Sequence, residues 1–135
     1  MSVKFKKRYL VLLGLAGFFV LWRLLTPWVI VNYSSGGRDV LNILWDVNHR
    51  IYRGDLAPGR ATSDKGDIFV GGNFFMVFFW WDNKGLDRCM SITPKIGGTI
   101  NIYLDASAEI DTSKTSPEAV GRMKACDREP DPYRP

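Results

Sequence analysis

Residues Tyr9–Trp22 (YLVLLGLAGFFVLW) form an unbroken uncharged run, with Lys4, Lys6, Lys7 and Arg8 before it and Arg23 after it. Carried through to Thr26, the segment has 18 residues. As a helix that is about 27 Å, close to one hydrocarbon core. Arg23 lies near the end of the run, where a long side chain reaches the headgroup layer, and Trp22 and Trp28 suit the same zone. A cleaved leader needs a small-x-small site after its apolar stretch, and Leu24–Trp28 offers none. A buried core helix has a similar composition, but the basic cluster directly before the run favours a membrane. The pattern predicts a basic cytoplasmic stretch over 1–8 and one uncleaved transmembrane anchor over 9–27. Everything from Trp28 onward then lies on the non-cytoplasmic side, because positive charge stays inside.

From Trp28 the pattern changes to alternation broken by turns. Trp28–Tyr33 (WVIVNY) is β-rich and stops at Ser34-Ser35-Gly36-Gly37. Across Val40–Val47, Leu41, Ile43, Trp45 and Val47 share one strand face, with Asn42 and Asp46 on the other. A helix over Arg38–Arg53 stopped by Gly54 fits the same residues, so local pattern leaves open either that helix or two strands joined near Asn48. Gly54–Gly59 reads as a loop, punctuated by Pro58 and Gly59.

Ile68–Val70 and Phe74–Trp81 (FFMVFFWW) follow as strands on either side of Gly71-Gly72-Asn73. Neither face of Phe74–Trp81 is polar, and the run is too short to cross a membrane as a helix. It reads either as a central strand buried on both sides or as one core face plus one aromatic face offered to a partner. In the second case Phe75, Phe79, Trp80 and Trp81 are the candidate partner surface. Asp82-Asn83-Lys84-Gly85 turns the chain into Asp87–Thr93, and Pro94–Gly98 turns it again. Thr99–Asp105 alternates Ile100, Ile102 and Leu104 against Asn101, Tyr103 and Asp105. Ser116-Pro117-Glu118 has the signature of a helix start, and Val120, Met123 and Cys126 form a stripe for one short helix. Residues 127–135 carry three prolines and read as a flexible tail. The fold class expected is mainly β: a transmembrane helix, then a small antiparallel β-sandwich or barrel over 28–126 with a short C-terminal helix.

Charge changes the picture less than the net +4 suggests. Five of the 18 basic residues lie in 1–27, where no acid occurs, so 28–135 hold 13 basic against 14 acidic residues. The folded part is therefore close to neutral and offers no motive for nucleic-acid binding. One His and two Cys leave little room for metal or triad chemistry. His49 reads as a turn residue, and Asp64/Asp67 and Glu109/Asp111 as turn carboxylates. The glycine pairs lack the Lys-Ser/Thr context of a phosphate loop. No active site, cofactor or metal site is expected. In an oxidising compartment Cys89 and Cys126 pair naturally as a disulfide. Closing a loop of about 38 residues stabilises by roughly 4 kcal/mol.

Asn32-Tyr33-Ser34-Ser35-Gly36, the β run after it, Gly54-Asp55-Leu56-Ala57-Pro58-Gly59 and the later strand-Gly-strand layout together resemble a group of small envelope proteins. These are single-span proteins of Gram-negative bacteria that carry an Asn-x-Ser-Gly…Gly-x-Leu-x-Pro-Gly β-module. The resemblance covers roughly residues 28–106 and favours strands over a helix for 40–52. It implies an inner-membrane protein with a periplasmic domain. Some members look like immunity proteins that block a toxin delivered to the periplasm, an implication by analogy. The expected function is a membrane-anchored, non-enzymatic module binding a protein partner and touching lipid through its one helix. The alternative is a structural or assembly subunit of an inner-membrane envelope complex.

Overall fold

Helix α1 runs from Ser2 to Leu25, and its segment Lys6–Leu25 is long and apolar enough to cross a membrane. None of that segment is buried against the rest of the chain. Both the backbone N–H and the hydroxyl of Thr26 donate to Trp22 O, at 3.0 and 2.7 Å. Pro27 then has no N–H with which to continue the ladder, and the helix stops. The computed structural model describes residues 2–68 and 74–126.

The described strands form two sheets. β1 (Trp28–Tyr33), β4 (Ala61–Lys65) and β7 (Thr99–Leu104) make a three-stranded sheet in the order β4-β1-β7. β2 (Leu41–Val47), β3 (Arg50–Leu56), β5 (Met76–Trp81), β6 (Asp87–Ile92) and β8 (Met123–Ala125) make a five-stranded sheet in the order β3-β2-β5-β6-β8. Their facing sides enclose one core. Val29 and Val31 of β1 and Ile100, Ile102 and Leu104 of β7 pack against Leu41, Ile43, Trp45 and Val47 of β2 and Met76, Phe78 and Trp80 of β5. The arrangement is a sandwich and not a closed barrel. Trp45 Nε1 donates to Thr62 Oγ1 across the layers at 3.1 Å, which satisfies the one polar atom that a fully buried indole brings into the core.

The segment that fits both helix and strands is a hairpin. β2 and β3 pair from Leu41↔Leu56 to Val47↔Arg50. The two residues between them, Asn48 and His49, both have positive φ, 51° and 70°. That is the backbone of a type I′ turn, whose twist matches the flanking strands and which Asn favours. Asp46 Oδ1 accepts from His49 N at 3.1 Å and closes the turn.

Four expectations are corrected. Gly54–Leu56 is not loop: Gly54 pairs with Ile43, and β3 runs on to Leu56 before the chain turns at Ala57–Arg60. The proposed apolar stripe of Val120, Met123 and Cys126 does not lie on one helix. Helix α2 covers only Pro117–Gly121, capped as expected by Ser116 Oγ accepting from Ala119 N, and buries Ala119. Met123–Ala125 turns back as an edge strand on β6, placing Cys126 beyond β8. Asp64 belongs to strand β4 and pairs with Arg50 at 3.0 Å. Finally, the sheets are not purely antiparallel, since β1 and β7 run parallel. The expected strand at Ile68–Val70 and the tail at 127–135 lie largely or wholly outside the described residues.

The registers give the sandwich two distinct ends. Trp28, Val47, Arg50, Lys65, Met76, Ile92 and Thr99 gather at the end where α1 joins. Tyr33, Leu41, Leu56, Ala61, Trp81, Asp87 and Leu104 gather at the opposite, distal end.

Candidate functional site

At the distal end three loops converge on a cleft of about 410 Å³ lined by Tyr33, Arg38, Asp39, Asp82, Leu86 and Ala106–Ala108. Each wall is built by a carboxylate or a phenol that fixes backbone. Tyr33, the last residue of β1, is buried, and its hydroxyl donates to Asp39 O at 3.1 Å. Burial pushes the phenol above its ordinary pKa, opposed by that hydrogen bond and assisted by the carboxylates of Asp39, Asp82 and Asp105. It stays a neutral donor. Asp82 Oδ1 accepts from Lys84 N and Leu86 N, both at 2.9 Å, and so shapes the β5–β6 turn. Asp105 Oδ1 accepts from Ser107 N at 2.8 Å and Glu109 N at 3.0 Å. In that same loop Ala108 has φ 60°, unusual for a residue with a side chain, and its carbonyl accepts from Trp80 Nε1 at 2.8 Å. Lys84 Nζ reaches Asp39 Oδ2 at 3.1 Å and links two of the walls.

What such a site can do follows from what its groups already do. One oxygen each of Asp82 and Asp105 is committed to backbone N–H groups, which holds the loops still. The Arg38 side chain is exposed at the rim. Rigid backbone with polar side chains at the rim is the composition of a recognition surface, because little ordering entropy is lost on contact. Gly37 is the tightest point. A Cβ there would lie 2.4 Å from both Cζ and Oη of Tyr33. Gly37→Ala is therefore expected to displace the buried ring and destabilise the domain by roughly 1–3 kcal/mol in a urea melt. An unchanged midpoint would show that the ring moves freely.

The residues singled out from the sequence fall elsewhere. Trp80 points into the sandwich core, 2% exposed and stacked on Phe78 with centroids 5.4 Å apart. Phe79 and Trp81 point to the other face of β5, where with Leu44 and Val77 they form a second buried cluster. Phe75 packs partly buried at the edge of that cluster and lies edge-on to His49 at 5.0 Å. The four are thus not one surface: they divide between two packed layers. Cys89 and Cys126 are joined as a disulfide with Cα atoms 5.6 Å apart, flanking the same second cluster. Among the described residues no group of three or more His, Cys, Asp or Glu is arranged to hold a metal. The cleft is not evident in the sequence because its residues come from three separate loops. The available signal was the Asp-Asn-Lys-Gly turn at Asp82–Gly85 and the Ser-Ser-Gly-Gly stop after Tyr33. No protein-family model matches the chain, and no curated protein or solved structure matches it either.

Proposed function

We propose that the chain is a membrane-anchored, non-enzymatic binding module. Helix α1 crosses the inner membrane of a Gram-negative cell with its N-terminus in the cytoplasm, and the sandwich holds a protein partner in the periplasm. The observation that carries this reading is the distal cleft: three loops held by side-chain-to-backbone hydrogen bonds converge at the end of the sandwich farthest from α1. Neutralising a periplasmic toxin is a specific version of the same role, supported by the resemblance of the β-module alone.

A photo-crosslinking residue at Ser107 in the full chain, expressed in Gram-negative membranes, tests the reading. A discrete protein adduct is expected, lost when Arg38→Glu and Lys84→Glu are combined and retained when Lys6–Leu25 is exchanged for an unrelated span. Adducts that vanish on exchange of the span, and survive the charge reversal, would make the chain an assembly subunit instead. Topology is checked separately. A reporter fused after Pro135 is expected to be active only on the non-cytoplasmic side, and cytoplasmic activity would overturn the orientation.

A further inference from the structure

The end of the sandwich next to α1 has its own surface chemistry. Only Thr26 and Pro27 separate the helix from β1. Three hydrogen bonds brace that joint: Gly97 N to Leu25 O at 3.0 Å, Trp28 N to Gly98 O at 3.1 Å and Gly66 N to Pro27 O at 2.9 Å. A Cβ at Gly66 would lie 3.0–3.1 Å from the rings of Pro94 and Pro27, so the three residues are in close contact. From the other side Arg122 O accepts from Thr93 N at 2.8 Å and Arg122 Nη1 donates to Pro94 O at 3.2 Å. The loop Thr93–Gly98 is therefore fixed beside the last turn of α1.

At the tip of that loop Lys95–Gly98 forms a turn, with Gly98 N donating to Lys95 O and Gly97 at φ 72°. The second position of this turn holds Ile96, 54% exposed. Water-facing turns take Pro or polar residues there, and a β-branched hydrocarbon gains nothing from projecting into water. Trp28, 39% exposed, and Trp22, 48% exposed, lie on the chain on either side of the Leu25 carbonyl that this loop grips. Of the charges nearby, Lys95 pairs with Glu118 at 2.9 Å and Arg50 with Asp64 at 3.0 Å, while Arg23 and Lys65 are exposed cations.

We propose that this end of the sandwich is a lipid-contacting foot: Ile96 and Trp28 enter the interfacial layer of the leaflet from which α1 emerges. The inference rests on α1 spanning the membrane and goes beyond it, because a spanning helix by itself leaves its domain free to stand off in water. The occupant is the bilayer interface, since the patch is continuous with the end of the span through the Gly97–Leu25 hydrogen bond. Aromatic and aliphatic side chains lower their free energy in that layer. The side chains that make the contact, Ile96 and Trp28, carry no charge, so the contact is apolar and does not depend on anionic lipid. It fixes the distal cleft away from the membrane.

The test uses the full chain in phosphatidylcholine vesicles, with and without phosphatidylglycerol, and a fluorophore sensitive to polarity on Ile96→Cys or, as a distal control, on Ser107→Cys. The disulfide and the near-ultraviolet circular dichroism of each labelled chain confirm its fold. Blue-shifted emission at position 96, quenched by headgroup nitroxide lipid in both vesicle types, together with water-like unquenched emission at 107, is the expected result. Water-like emission at both positions in protein that resists carbonate extraction would overturn the foot and leave the span intact. Extraction of the protein by carbonate would overturn the span and the foot together. Quenching at 96 only with phosphatidylglycerol would replace the apolar contact by an electrostatic one and so overturn the proposal as stated.

Discussion

Trp80→Ala is expected to bring the β-domain to the edge of unfolding. The indole is 2% exposed, lies between the two sheets against Phe78 and donates to Ala108 O at 2.8 Å. Truncation leaves a large cavity and a buried carbonyl without that donor, at a cost of about 3–5 kcal/mol. Small domains have only about 5–15 kcal/mol in total. The same change releases Ala108 from its strained conformation, so the distal loop should loosen with the core. Trp81→Ala removes a side chain from the smaller cluster on the opposite face of β5, 8% exposed, and is expected to cost less, about 3 kcal/mol. Thermal and urea melts of the two variants check this order. Near-equal, large losses would give both faces of β5 the same weight in the fold. A Trp80→Ala midpoint within a few degrees of the parent would contradict the packing described for β5.

Cys126→Ser should have the other large effect. The bridge links residues 37 apart in sequence and ties the chain leaving β8 to β6. That strand has only three residues, each paired on one side alone, so the covalent link carries much of its attachment. The loop-entropy relation gives about 4 kcal/mol for a closure of this length. The expected result is a large fall in melting temperature, reproduced by reductant on the parent protein and not deepened by reductant on the variant. Two titratable thiols in the folded, oxidised protein would contradict the bridge.

How much was legible in the sequence depended on whether burial left a period. α1 and the strands β1, β6 and β7 announce themselves by an apolar run or by alternation. The β2–β3 hairpin was ambiguous because Leu44, an outward residue, is as buried as its inward neighbours, which blurs the period of two. β5 had the same defect in full: all six residues are buried, so the pattern could not say which face met the main core. β4 (ATSDK) contains no large apolar residue and earned its place through backbone pairing with β1 and the Thr62 hydroxyl under Trp45. The parallel β1–β7 pair and the three-residue β8 depend on contacts distant in sequence, which local spacing does not encode. The cleft was hidden for the same reason. Its aspartates look like ordinary turn residues until the two sheets bring three loops to one end.

The position of β1 has a mechanical consequence. This strand is the centre of its sheet, with five residue pairs to β4 on one side and six to β7 on the other, and it follows α1 with two residues between. When α1 is held and the distal end is pulled, tension runs along β1. Ladder bonds lie across that direction, and such a load shears them all together instead of peeling them one after another. Helix α1 thus joins the domain at the strand best placed to resist such a load, and the three-residue edge strand β8 stays off the line of force.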